Sequence, residues 1–394
     1  MCCSVLQAAV RARGLATRVC FCPLASAAGV LKSVLPFGKV ALIAGEECFA
    51  LGQAVRAALR GFTVYGNVLG AGDGAAGLFS LPDDVRAAVG VGARGIAAAR
   101  CFATLRGAYS LAVPAGPTAR GIFEERVPAG YGHYPARPAD LVLFDGERGE
   151  GCAEALAETS LAAQFAEDVE IDAVFAGRRR PHGFRRAAEL LADAAEKLAA
   201  GAAEKNGVRE ALFAASALYF LEKRGAPPFP AEEAARLLAK RTGRPAALCA
   251  LPACLYFAQR SERLFGFAKP RPYFVPDYCA RLARAAEECG EERSVFRNVR
   301  VPSGEEHFRL HEIFAQARGR LARSARLASD AAAKLSRAYF AAGGERPSVP
   351  AGLMPALYDL SAELSPLWSA PALERELGLL PNPRAEETIL FAGR

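Results

Sequence analysis

Apolar and polar positions settle into a regular rhythm from Lys39 onward. KVALIAG is a short apolar run closed by glycine, and residues 46–59 follow with helical periodicity, which predicts a strand feeding a helix. GFTVYGNV from Gly61 predicts a second strand, followed by a glycine-rich loop through Gly70, Gly72, Gly74 and Gly77. Residues 83–91 predict a helical turn and another strand. A helix over about residues 96–105, the strand YSLAVP from Tyr109 and the strand DLVLFD from Asp140 extend the alternation, so a mostly parallel sheet covered by helices is expected. Residues 117–138 are interrupted by several Gly and Pro residues and predict a loop or short hairpin at the sheet's edge.

Beyond about Gly151 the strand pattern does not return. Composition shifts toward Ala, Leu, Glu and Arg, and helices are predicted over residues 153–174, 187–204, 209–223, 231–240, 276–288, 305–317, 321–342 and 353–364. The expected organisation is an α/β N-terminal nucleotide-binding domain with a mostly parallel sheet over residues 1–150, then an all-helical domain over residues 151–394. No internal repeat is visible.

Composition narrows the function classes. With 394 residues, 52% hydrophobic and 23% charged, the chain has the balance of a folded globular protein of about two domains. The apolar stretch 246–258 contains Pro252 and falls short of the roughly 20 residues that cross a bilayer. No membrane partner is expected. A net charge of +7, with arginines interleaved among glutamates, argues against nucleic acid. Eleven cysteines at scattered spacing read as free thiols in a cytoplasmic protein. Cys2, Cys3, Cys20 and Cys22 lack a second pair at zinc-site spacing. Arg11, Arg13 and Arg18 precede the first acid, Glu46, as in a transit peptide, but residues 30–44 run straight into a strand pattern. A structured N-terminal edge is therefore expected.

Gly90, Gly92 and Gly95 form G-x-G-x-x-G between a predicted strand and a predicted helix. A turn without side chains lets backbone N–H groups and the helix N-terminus approach a diphosphate. A tight strand-to-helix turn needs glycine for packing alone, so both readings stand at this point. His307 and His311 are four apart on a predicted helix and share a face. They can serve one metal ion or one ligand, or simply line a solvated face. The basic cluster Arg178, Arg179, Arg180, His182, Arg185 and Arg186 could grip a phosphate but reads better as a solvated loop.

The order of these motifs carries a resemblance. AVGVGARGIAAARCFAT followed by YSLAVPAGPTARGI resembles the glycine-rich turn, helix, strand and Pro-Thr loop of iron-containing alcohol dehydrogenases, glycerol-1-phosphate dehydrogenases and dehydroquinate synthases, where the turn also sits in the third strand–helix unit. SGEEHFRLHEIF from Ser303 resembles the Ser-Gly-x-Glu-His motif of the glycerol-1-phosphate dehydrogenases, and LYDLSAELSPLWSAPALERELGLL resembles their C-terminal ending. The resemblance spans roughly residues 35–380 and implies a dehydroquinate synthase-like fold. It implies an oxidoreductase that uses NAD or NADP, with a divalent zinc or iron ion, on a small alcohol or polyol phosphate. It also implies a homo-oligomer.

Residue by residue, the resemblance implies that Gly90, Gly92, Gly95, Arg100, Pro114 and Thr118 hold the cofactor. His307 takes the place of a metal ligand, with Glu154 as the nearest acid for a second ligand, and His311 lies near the substrate. The chain departs from the pattern elsewhere. No histidine follows His311, and the family's second His-Gly motif falls at Arg318 and Gly319, where a cation would repel a divalent ion. Ala98 and Cys101 stand where the family has Asp and Lys, and Arg120 stands for the aspartate before Gly121. A homologue with lost catalysis and a dehydroquinate synthase-like lyase are the alternative expectations.

Overall fold

The computed structural model describes residues 2–70, 78, 80–129, 132–147, 151–178, 183–201, 206–267, 275–291, 303–345, 348–350 and 352–377. The chain divides into two units, Met1–Ala155 with Ala200–Ala226, and Leu156–Ala199 with Pro227–Arg394. One helix of the alanine-rich half therefore belongs with the sheet.

The first unit opens with α1 (Cys2–Ala12), β1 (Arg18–Phe21) and α2 (Ala27–Lys32). The predicted alternation follows: β2 (Lys39–Gly45), α3 (Phe49–Ala58), β3 (Thr63–Leu69), β4 (Val85–Val91), α4 (Gly92–Arg106) and β5 (Tyr109–Val113). A hairpin of β6 (Arg126–Ala129) and β7 (Gly132–Pro135) precedes β8 (Leu141–Phe144), and α8 (Asn206–Lys223) completes the unit. Six strands make one sheet in the order β1-β8-β5-β4-β2-β3, and every pairing in it is parallel. The hairpin forms a separate antiparallel pair, so the segment expected at the sheet's edge folds as its own small layer.

Both faces of the sheet are covered, which is why its strands read as continuous apolar runs. Val40, Leu42 and Ala44 of β2 join Ala27, Leu31, Val55 and Leu59 of α2, α3 and the turn after it in one core. Ala41 and Ile43 point the other way, into a core with Ala97, Ala98, Cys101 and Phe102 of α4. Helices α3 and α4 thus lie on opposite faces. At the outer end of the sheet, Phe144 of β8 stacks on Phe213 of α8 with centroids 4.3 Å apart, and Phe21 of β1 packs edge-on to both.

Strand β1 supplies the structured N-terminal edge that was expected, although no strand was predicted there, and it is an edge strand. Its outward backbone groups are answered by α1: the Gln7 amide donates to the Thr17 carbonyl at 3.0 Å and accepts from the Val19 N–H at 3.0 Å. A side-chain amide so replaces a neighbouring strand and blunts the edge.

The second unit is helical among the described residues: α6 (Leu161–Phe175), α7 (Gly183–Ala199), α9 (Pro230–Thr242), α10 (Ala246–Phe267), α11 (Val275–Cys289), α12 (Gly304–Ala341), α13 (Leu353–Leu364) and α14 (Ala370–Glu376). Between the units' residues runs α5 (Cys152–Thr159). Helix α12 is continuous through Arg318 and Gly319, where two helices were predicted. Ser303 opens it with a capping box: its side chain accepts from the Glu306 N–H while Glu306 accepts from the Ser303 N–H, which satisfies two end donors reciprocally. Ile171, Leu264, Phe265, Phe314, Leu321 and Leu373 form a core shared by α6, α10, α12 and α14. No described helix is long and apolar enough to cross a membrane.

Candidate nucleotide site

The chain leaves β2 toward β3 on one side and leaves β4 toward β5 on the other, so the order of the sheet reverses between β2 and β4. In open α/β sheets the crevice beyond the strands' C-terminal ends at such a reversal is where ligands bind. Gly45 ends β2 and Val91 ends β4 at this place, and Gly92 begins α4.

The three glycines of the motif have distinct reasons. A Cβ on Gly90 would stand 2.5 Å from the Ile96 Cα, and one on Gly95 would stand 2.4 Å from the Ile43 carbonyl oxygen. These two glycines let α4 lie directly on β4 and β2. Gly92 has φ +70°, and a Cβ there would meet the Cys48 Sγ at 2.4 Å. It turns the chain from strand into helix, so the first N–H groups of α4 are presented at the crevice. Packing therefore accounts for Gly90 and Gly95 without a ligand.

The loop after β5 lies alongside. A Cβ on Gly121 would stand 3.1 Å from the Ala93 carbonyl oxygen. Pro114 is buried and Thr118 half-buried. The Thr118 hydroxyl accepts from the Arg120 N–H at 3.3 Å, and the Ala119 N–H donates to the Ser216 hydroxyl of α8 at 2.9 Å. The structure thus brings Gly90, Gly92 and Gly95 together with the loop of Pro114 and Thr118.

Sequence reasoning missed two residues here. The Arg94 guanidinium, in the first turn of α4, reaches the Leu69 carbonyl at the end of β3 (3.5 Å) and the Glu47 carboxylate (3.6 Å). Both side chains are partly exposed at the crevice. Arg94 is an unspecified position of the glycine motif, and only the topology shows that it faces the strand ends. Below them the Cys48 thiol is pushed up by burial and by the Glu47 charge, which keeps it protonated and inert.

Arg100 requires a correction. Expected as a cationic partner for the cofactor, it is 1% exposed and spent on the protein's own backbone. Its Nε donates to the Arg137 carbonyl (2.8 Å), Nη1 to the Gly121 carbonyl (2.5 Å), and Nη2 to those of Glu124 (2.5 Å) and Ala136 (3.1 Å). Burial pushes the guanidinium down to about 10, against the raising effect of Glu124. The side chain fastens the 121–137 segment to α4 and leaves no face for a nucleotide.

The residues expected to hold a metal do not fit one. Glu154 is exposed on α5, in the first unit, and His311 is exposed on α12, in the second. His307 is half-buried, with Nδ1 3.1 Å from the Glu376 carbonyl of α14. Arg318, two turns beyond His311 on α12, donates to the Phe265 carbonyl at 2.9 Å. Among the described residues, no group of three or more His, Cys, Asp or Glu is placed to hold a metal ion. The phosphate-gripping reading of the basic cluster falls partly on residues 179–182, outside the described residues; Arg178 pairs with Asp172 at 3.3 Å, and Arg185 and Arg186 pair with Glu189.

No protein-family model and no curated protein sequence matches the chain. Solved structures do. Maleylacetate reductase from Agrobacterium tumefaciens is 13% identical, with 96% of this chain and 95% of that one covered at a TM-score of 0.56. A 1,3-propanediol oxidoreductase is 13% identical over 95% of this chain and 97% of that one at 0.55, and an alcohol dehydrogenase from Oenococcus oeni is 12% identical over 95% and 98% at 0.52. At such identities the likeness establishes the fold alone, the dehydroquinate synthase-like one with a parallel α/β sheet and a helical unit.

Proposed function

We propose that the chain binds a nicotinamide dinucleotide at the α4 turn and transfers hydride between it and a small alcohol–carbonyl pair, a polyol or polyol phosphate being the expected substrate. The observation that carries this reading is the reversal of the sheet between β2 and β4, with the glycine turn and the start of α4 at that spot. The first N–H groups of α4 and its positive end would take the diphosphate, with Arg94 beside them and the Pro114–Thr118 loop flanking the ribose. In the oxidative direction the alcohol carbon gives hydride to the nicotinamide ring and its hydroxyl gives a proton to a base. A metal is assigned no step, because among the described residues no group of three or more His, Cys, Asp or Glu is placed to hold one.

A second reading has an observation in its favour. Glu154 and His311 are exposed, and Arg318 stands where a ligand was expected, which suits a protein that binds nucleotide without turning it over. Two measurements separate the readings. Melting of the full chain with NAD and with NADP should rise by several degrees at saturation, since a ligand of the folded state must stabilise it. Oxidation of the reduced nucleotide in the presence of a panel of aldehydes and ketones should follow. Binding without turnover leaves the second reading; a melting point indifferent to both nucleotides sinks both.

A further inference from the structure

The core of the second unit holds two acids that no cation answers. Glu167 and Asp168 of α6 are 1% and 0% exposed. One amide serves both: Gln164 Nε2 donates to Glu167 Oε2 at 3.2 Å and to Asp168 Oδ1 at 3.5 Å, so the two carboxyl groups crowd around a single nitrogen. The fully buried Ser261 of α10 is bonded to the other oxygen of Glu167, and Asp168 Oδ2 has no hydrogen-bond partner. Glu167 is thereby the polar link between α6 and α10.

The surroundings supply no compensating charge. Among the described residues, the charges that bear on the pair are negative: Glu262 of α10 on Glu167, and Glu167 itself and Asp172 on Asp168. On the elements packed around α6, Arg260 of α10 is paired with Glu374, Arg320 of α12 with Glu170, Arg186 of α7 with Glu189 and Arg236 of α9 with Glu233, while Arg178 takes Asp172. The Cys254 thiol of α10 is pushed up to about 12, by burial first and then by the Glu167 charge, and is bonded to the Ser160 carbonyl at 3.2 Å. It brings no positive charge. A carboxylate sealed from water without a counter-ion takes a proton instead. Burial accordingly pushes Glu167 up to about 8, and burial followed by the Glu167 charge holds Asp168 well above the carboxylate range.

We propose that Glu167 and Asp168 form a proton-operated latch between α6 and α10: each acid holds a proton while the helices are packed, and ionisation loosens that packing. Ser261 suits the protonated form, because a hydroxyl accepts from a carboxylic acid as well as it donates to a carboxylate. The sign of the effect follows from linkage. An acid that holds its proton more tightly in the folded chain gives stability that is complete below the unfolded value, 4.5 for a glutamate, and is lost as pH rises to the folded value, about 8 for Glu167. Within that window each such acid lowers the folding constant by about tenfold per pH unit. The second unit is therefore tight in mild acid and loose in alkali, whether or not a nucleotide binds at the α4 turn. Trp368, the chain's single tryptophan, stands where it can report the change: its backbone N–H donates to Asp172, one turn beyond Asp168, at 3.0 Å, and its ring stacks on Phe175 of α6 with centroids 5.3 Å apart.

The test is urea unfolding of the full chain from about pH 5 to about pH 8, followed by Trp368 emission. Glu167→Gln and Asp168→Asn copy the neutral acids in shape. Each should take about tenfold per pH unit out of the parent's loss of folding constant, and at about pH 8 each should be more stable than the parent by about tenfold or more. At that pH amide exchange in α6 and α10 should be faster in the parent than in either variant. Infrared spectra of the folded parent near pH 7 should show protonated carboxyl absorption that both variants diminish. Variants that keep the parent's pH slope, or that are the less stable at about pH 8, would show that the acids are ionised in the folded chain, and the proposal fails. Equal exchange in parent and variants would refute the loosening of the helices, and a folded parent without protonated carboxyl absorption ends the proposal however the variants fold.

Discussion

Replacing Arg100 by methionine separates a structural arginine from a cofactor-binding one. The substitution keeps an unbranched apolar stem and removes every donor. Four carbonyls lose their partner; the bonds to Gly121 and Ala136 are buried, while those to Glu124 and Arg137 are partly reached by solvent. Two sealed carbonyls cost about 1–3 kcal/mol each, and the two wetter ones cost little. Against this, methionine ends the burial of a cation whose proton affinity is already pushed down to about 10. The balance is a loss of about 2–4 kcal/mol, a fall in melting temperature of roughly 5–15 °C.

The assay is urea unfolding followed by circular dichroism, joined to amide exchange across residues 121–137. Exchange there should accelerate before the rest of the sheet opens, since Arg100 ties that segment to α4. Arg100→Lys should recover part of the loss, because an ammonium keeps charge and donors but cannot span four carbonyls. Stability unchanged within about 0.5 kcal/mol, with nucleotide affinity falling instead, would refute the argument and return Arg100 to the cofactor.

Other perturbations follow from the same geometry. Gly95→Ala should cost about 3 kcal/mol, because its Cβ meets the Ile43 carbonyl and neither backbone can give; a melting point within a degree or two of the parent would show that α4 stands off the sheet. Gly92→Ala should be milder, about 1–2 kcal/mol for the left-handed φ, and Cys48→Ala should return part of it by removing the sulfur at 2.4 Å; equal single and double variants would deny that contact. In the second unit Arg260 grips Glu374 with bonds of 2.9 Å, and Tyr358 donates to the same carboxylate at 3.0 Å. Arg260→Met strands a buried acid and should cost about 3–5 kcal/mol, whereas removing both partners together should cost less than the sum; additive losses would contradict the pairing.

The parallel sheet was legible because its central strands are apolar on both faces and β2 and β4 are each followed by helical spacing, as KVALIAG and its successor show. Strand β1 was not: RVCF is four residues long, half-exposed at Cys20 and Phe21, and satisfied at its edge by a glutamine from a helix, none of which leaves a two-residue rhythm. Helix α12 runs through Gly319, between the two helices predicted over 305–317 and 321–342, because an exposed glycine costs a long helix only about 1 kcal/mol. The grouping of α8 with the sheet rests on contacts such as Phe144 on Phe213, between residues far apart in sequence. Arg100 misled for the same reason. Its burial is created by the hairpin segment closing over α4, and nothing in the local sequence distinguishes a sealed arginine from an exposed one.

The glycine motif itself divides according to what each of its residues touches. Gly90 and Gly95 would be required in any protein that sets a helix this close upon two strands, so their presence says nothing about a ligand. Gly92 is different in kind: its positive φ aims the start of α4 at the place where the sheet order reverses. The nucleotide reading therefore rests on topology together with one residue, not on three glycines, and a G-x-G-x-x-G is informative only once the strand order is known. Arg94 and Glu47 then become the side chains to question first. A carboxylate near a diphosphate is repulsive unless the arginine between them holds it aside, so the strength of that pair sets how readily an anion enters the turn.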